Sequence, residues 1–160
     1  MGLKRITIAA MLIVTLGLLA LSACSNQPTK RIQATWIDAQ ITGDLVSVPV
    51  DKIEKDVIIH SRVSTPTDEL TFMAYEYNDK VYVRADICPP CLSESFSLVK
   101  DTLVCDACAT VFSAKTGAGI KGACVRYPKA SVPFVLQSGD IVMTGVDIAT
   151  AFQDTLTPGE

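Results

Sequence analysis

The hydrophobic residues of this chain fall in short runs, and most of the runs have the two-residue period of a strand. LVSVPV (45–50) alternates, as a half-buried strand does. Pro49 confines it to a sheet edge, because a proline has no N–H to give to a neighbouring strand. VIIHSRV (57–63) is rich in β-branched residues. Three pairs of runs then flank tight turns: TFMAYEY (71–77) and KVYVRAD (80–86) around Asn78-Asp79, FSLV (96–99) and TLVC (102–105) around Lys100-Asp101, and VPFVL (132–136) and DIVMTG (140–145) around Gln137-Ser138-Gly139. Each pair has the form of a hairpin. Helical periodicity is confined to one expected turn from Ile148 to Phe152. The pattern predicts a mainly β fold, a small sandwich or barrel of six to eight short antiparallel strands.

The N-terminus breaks this pattern. Lys4 and Arg5 precede an apolar run from Ile6 to Leu21, which is at the short end for a membrane span. A basic start, a short apolar stretch and small residues describe an export signal. Leu21-Ser22-Ala23-Cys24 looks like a bacterial lipobox, in which Cys24 is acylated and becomes the first residue of the mature chain. An uncleaved anchor helix, or an ordinary signal with an incidental cysteine, is the alternative. The expected organisation is a lipoprotein signal peptide over residues 1–23, the lipidated cysteine and a polar tether over 24–44, a metal-binding domain over 45–153 and a tail over 154–160. The chain is thus expected outside the cytoplasm, lipid-anchored to a bacterial membrane of either type.

Loss of the signal removes Lys4 and Arg5 and takes the net charge from −3 to −5. A mildly acidic surface argues against nucleic acid, which needs a basic patch. One histidine in the whole chain, and no nucleophile elbow, exclude a hydrolytic triad.

The candidate chemistry lies in CPPCLSESFSLVKDTLVCDAC (88–108), two C-x-x-C pairs separated by 13 residues. With Cys24 assigned to the anchor, Cys88, Cys91, Cys105, Cys108 and Cys124 remain. Five thiols cannot all pair internally, which weakens a pure disulfide scaffold. Each pair follows a strand, and Pro89-Pro90 stiffens the first turn. Two such knuckles facing each other bring four sulfurs to one centre, a set suited to zinc or to an iron–sulfur cluster. A c-type haem needs a histidine after the second cysteine, where Leu92 and Ala109 stand. A two-histidine, two-cysteine cluster cannot be assembled around the lone His60, which reads as a core residue. A thiol–disulfide oxidoreductase built on Cys88-Pro-Pro-Cys91 is a further alternative, although such motifs normally open a helix.

VYVRADICPPC…LVCDACATVF…TGAGIKGACVRYP resembles the FtrD-like membrane iron–sulfur proteins. The matching positions are Asp86 before the first pair, Phe112 after the second, and the run Gly117, Gly119, Gly122, Cys124 and Pro128. Where the family commonly has glycine after the second pair, this chain has Ala109. The spacing of the two sulfur pairs is also similar, at the level of fold, to Rieske-type domains. The resemblance implies an iron–sulfur cofactor, with zinc as alternative, and a role in electron transfer or metal handling beside iron-transport machinery such as a permease or redox partner. A non-enzymatic carrier is expected over an enzyme. Cys124 is expected at the site as a fifth sulfur, a substitute ligand or a ligand to a second ion, or is a buried free thiol. Gly119 and Gly122 are expected to let backbone approach the site closely. Asp86 is expected to orient its turn by accepting backbone N–H groups.

Overall fold

The computed structural model describes residues 30–64 and 69–159. The export signal, the lipobox and Cys24 lie outside the described residues. Among the described residues thirteen strands and two helices run in the order β1 (Ile32–Gln33), β2 (Thr35–Trp36), β3 (Gln40–Thr42), β4 (Leu45–Pro49), α1 (Val50–Asp56), β5 (Ile58–Ser64), β6 (Glu69–Glu76), β7 (Val81–Ala85), β8 (Phe96–Val99), β9 (Thr102–Cys105), β10 (Val111–Ser113), β11 (Gly119–Lys121), β12 (Val135–Gln137), β13 (Asp140–Thr144) and α2 (Gly145–Leu156). They form three sheets, ordered β12-β13-β4-β3, β2-β5-β6-β7 and β1-β8-β9-β10-β11. Every pairing is antiparallel except β2 with β5.

The mainly β class holds, and the strand count exceeds six to eight because two- and three-residue strands carry no periodicity to read. Three of these, β1 to β3, fall within the stretch expected to be tether. α1 is likewise hidden, since VPV continues the alternation of β4 while Val50 already starts the helix. α2 extends well beyond one turn. Thr144 caps it by accepting from the Asp147 amide at 3.0 Å and donating to the Asp147 carboxylate at 2.7 Å.

The middle sheet is buried on both faces, and period-two alternation divides its side chains. Ile59, Phe72 and Ala74 enter one core, with Val46, Val48, Ile141 and α2 residue Ile148. Their neighbours Ile58, Met73 and Tyr75 enter a second core with Phe96, Leu103 and Phe112, and this second core contains the cysteines. A strand buried on both faces shows a near-continuous apolar run, as Thr71 to Tyr75 does. The hairpin turns fall where expected. Asn78 (φ 51°) and Asp79 (φ 56°) both take the left-handed conformation of a two-residue loop.

Candidate metal centre

The chain leaves β7 at Ala85 and reaches Cys88 three residues later. The Cys88 amide donates to the Ser93 carbonyl at 2.8 Å, and the Cys91 amide donates back to the Cys88 carbonyl at 3.1 Å, closing a turn over the two prolines. The second knuckle grows from the end of β9. There the Cys105 amide donates to the Thr110 carbonyl at 2.9 Å, and the Ala109 amide to the Cys105 carbonyl at 3.0 Å. The residue after each second cysteine is left-handed, Leu92 at φ 54° and Ala109 at φ 56°. That torsion turns the chain back so that both sulfurs of a knuckle face inward. Glycine takes such a torsion without the strain that Ala109 bears. Ala109→Gly is expected to raise the stability of the metal-free protein by roughly 0.5–1 kcal/mol, the left-handed penalty less the entropy of glycine. Thermal melting of the two proteins checks this.

The knuckles face each other. The sulfurs of Cys88, Cys91, Cys105 and Cys108 all lie within 4.8 Å of one another. Across the knuckles, Cys88 Sγ is 3.9 Å from Cys108 Sγ, and Cys91 Sγ is 3.7 Å from Cys105 Sγ. Cys88 and Cys105 are buried, whereas Cys91 and Cys108 are half-buried. Leu92, beside Cys91, is 79% exposed. The centre therefore has an inner, dry side and an outer side close to solvent. Cys124 is not one of the four mutually close sulfurs. Its Sγ lies 3.7 Å from Cys108 Sγ, and its amide donates to the Thr110 hydroxyl at 3.2 Å.

Burial divides the thiols by proton affinity. It pushes Cys88 up, helped by hydrogen bonding to Cys91 and Cys124 and by the charge of Cys105. Cys105 is also pushed up by burial. At Cys108 burial pushes upward too, but hydrogen bonds from Thr110, Cys105 and Cys91 outweigh it and bring the thiol down to about 6. The Thr110 hydroxyl stands 3.1 Å from Cys108 Sγ, placed to donate to its thiolate. Metal binding requires thiolates and so releases protons. At pH 7 the buried pair is protonated and Cys108 is mostly ionised, so metal uptake displaces at least two protons. Apparent affinity is expected to fall at least about a hundredfold for each pH unit of acidification, and more steeply below pH 6 where Cys108 also protonates. Competitive titration of the metal-free protein with Zn²⁺ at pH 6, 7 and 8 reads this slope.

Asp86 does not orient its turn through backbone amides, as the sequence suggested. Its carboxylate is hydrogen-bonded to His60 Nδ1, while the opposite ring nitrogen of His60 meets the Phe96 backbone, 3.2 Å from its carbonyl oxygen. Trp36 stacks on His60 at 5.0 Å between ring centroids. Burial pushes the Asp86 carboxyl up to about 6, against the bond to His60. His60 is thus a core residue, as its apolar strand implied, and it joins β5 to the strand that follows the first knuckle. Phe112 packs in the cysteine core edge-on to Phe96. A Cβ on Gly119 would lie 2.1 Å from the Val125 carbonyl oxygen, away from the sulfurs, and one on Gly122 2.6 Å from the Thr110 hydroxyl.

Three contributors were not anticipated. Asp106 accepts from Ser97 at 2.7 Å and from Arg31, tying the second knuckle to β8 and to the residue before β1. Thr110 bridges Cys108 and Cys124. Lys129 is wholly buried, with its ammonium donating to the Ile87 carbonyl. In sequence Lys129 stands in a polar string after Pro128 and is indistinguishable from a surface lysine.

The donor set fits a sulfur-ligated metal. Four soft, converging thiols suit iron or zinc, and a sulfur tetrahedron with bonds of about 2.3 Å has edges of about 3.8 Å, close to both cross-knuckle separations. The family described as "Membrane iron-sulfur containing protein FtrD-like" matches residues 36–153. The chain belongs to the FtrD-like family. The family description and the cysteine cluster together support an iron–sulfur cofactor. No curated protein matches the sequence. Among solved structures, a chain from "Complex of reduced oxygenase and oxidized ferredoxin in carbazole 1,9a-dioxygenase" is similar at 18% identity with a TM-score of 0.53, covering 65% of this chain and 95% of that one. Sphingomonas yanoikuyae B1 ferredoxin is similar at 14% identity with a TM-score of 0.43, covering 73% and 98%. The first likeness is one of fold. In this FtrD-like chain no helix among the described residues is long and apolar enough to cross a membrane.

Proposed function

We propose that this FtrD-like protein is an extracytoplasmic, lipid-anchored iron–sulfur protein that carries single electrons, or handles metal, beside iron-transport machinery. The observation that carries the reading is the convergence of four thiols from two knuckles, with one side dry and the other near solvent. An electron carrier needs this asymmetry: a protected centre whose outer edge comes within reach of a partner. The anchor rests on the lipobox at Cys24 and on the family's description as membrane proteins. The partner class is a permease or a redox protein of the same membrane, not nucleic acid.

Anaerobic purification with iron, acid-labile sulfide and zinc quantification tests the cofactor. Iron with sulfide and a visible chromophore supports the reading; zinc alone overturns it. A second reading, one metal ion held as a structural or interaction module, is favoured by the 3.7 and 3.9 Å cross-knuckle distances, which are the size of a single-ion tetrahedron. The ratio of sulfide to iron separates the two. A thiol–disulfide enzyme would instead purify without metal and turn over a disulfide substrate.

A further inference from the structure

We propose that Lys129 is the buried counter-charge of the thiolate centre and holds its reduction potential up. The inference rests on the iron–sulfur reading and assigns a residue outside the cysteine motif. Lys129 is 1% exposed, and among the described residues it has no carboxylate within ion-pair distance, since the ion pairs present use Arg31, His60 and Arg62. The nearby Asp86 carboxylate gives Oδ2 to His60, and its other oxygen, Oδ1, is buried without a hydrogen-bond partner and lies beyond ion-pair distance of Lys129.

An ammonium without a counter-ion in a protein interior is costly and is rarely kept without compensation. The surroundings of Lys129 indicate where compensation comes from. Its ammonium donates to the carbonyl of Ile87, the residue before Cys88. It stands over the faces of Phe112 and Phe96, 4.8 and 5.4 Å from the ring centroids, and both rings belong to the cysteine core. Burial pushes its proton affinity down, and negative charge on Cys88, Cys105, Asp86 and Cys124 pushes it back up. Three of these four are cysteines, and two are the buried ligands of the centre. By geometry the ammonium sits in the buried cysteine core, between the Phe96 and Phe112 rings and the carbonyl that precedes Cys88.

When an external reductant delivers one electron to sulfur-ligated iron, no bond is made or broken and the centre becomes more negative by one charge. A fixed positive charge in a low-dielectric interior stabilises that product more than its precursor. Removing it must shift the potential in the negative direction. Lys129 is a positioning residue in the electrostatic sense: it acts on the centre through space and need not touch the metal.

The test uses the loaded wild-type protein, Lys129→Met and Lys129→Gln, with potentials measured by spectroelectrochemical titration and the fold checked by melting of the metal-free forms. Methionine removes both charge and hydrogen bond, whereas glutamine removes the charge and keeps a donor for Ile87. The expected result is a shift to more negative potential in both variants, with the metal-free Lys129→Met melting no lower than the wild type because an uncompensated buried charge is gone. Unmoved potentials in both variants overturn the inference, as does a shift in Lys129→Met that Lys129→Gln restores, which would assign the effect to the hydrogen bond. A wild-type protein without iron and sulfide overturns the underlying reading itself. Release of iron to a chelator, measured on all three loaded proteins, is a second readout. Release at least about tenfold faster in both variants supports the counter-charge, and release at the wild-type rate overturns it.

Discussion

Cys105→Ser is expected to lower bound metal at least about tenfold and to abolish the visible chromophore, while leaving a folded β domain. Cys105 ends β9, is fully buried, and holds its amide on the Thr110 carbonyl at 2.9 Å. Its sulfur is thus placed by a sheet and not by a mobile loop. A serine there occupies the same pocket but offers a hard, protonated oxygen to a site built from soft donors. Three thiolates would remain, and the inner side of the centre would lose one of its two ligands. Cys124→Ser is the matched control. Its sulfur is 3.7 Å from Cys108 but is not one of the four mutually close positions, so its metal content is expected to stay within about twofold of the wild type. Elemental analysis of the three proteins decides the point. Equal metal in Cys105→Ser and the wild type would remove the four-sulfur centre from consideration, and loss of metal in Cys124→Ser would make that thiol a ligand.

The contrast between these two cysteines shows what the sequence could and could not convey. The two C-x-x-C pairs at the ends of strands were legible because a strand end followed by a tight turn fixes where sulfurs point. The hairpins were legible too, since Asn78-Asp79 and Ser138-Gly139 supply residues that tolerate positive φ. What escaped was set by tertiary contact. β1 to β3 are too short for periodicity, and they exist because β5, β8 and β4 offer them edges. Thr110 and Lys129 have unremarkable local surroundings, and only the fold places one between two thiols and the other against the carbonyl that precedes Cys88. Asp86 was singled out for the right neighbourhood and the wrong partner: His60 is 26 residues away in sequence but lies on β5, two strands across the same sheet from β7. Ala109 is the converse case, where a departure from the common glycine marks a torsion that the structure then displays.

The Gly-rich run between the knuckles and Lys129 carries the other large expected effect. Gly117→Val is expected to cost roughly 2–5 kcal/mol and to lower the melting temperature by at least about 6 °C. Gly117 has φ +76°, where a β-branched residue is a severe outlier. Its amide donates to the Ser113 carbonyl and its carbonyl accepts from the Lys129 amide, both at 2.8 Å. A Cβ would lie 2.2 Å from the Lys129 carbonyl oxygen and 2.7 Å from Arg84 Nη1. Neither neighbour can yield. The Lys129 carbonyl is backbone, and the buried Arg84 is fixed by bonds to Tyr75 at 2.7 Å, Lys129 at 2.8 Å and Lys115 at 2.7 Å. The torsional penalty of about 1–2 kcal/mol therefore adds to a backbone displacement of about 1–3 kcal/mol. Gly139→Val isolates the first of these. Gly139 also has positive φ, +89°, but nothing lies within 4 Å of its would-be Cβ. It is expected to cost only the torsional part and to leave metal binding intact. The displaced backbone in Gly117→Val would carry Lys129 and its hold on the Cys88 turn with it, so metal retention should fall along with stability. Equal melting temperatures for the two variants would show that the close approach of Gly117 to Lys129 and Arg84 contributes nothing to the fold.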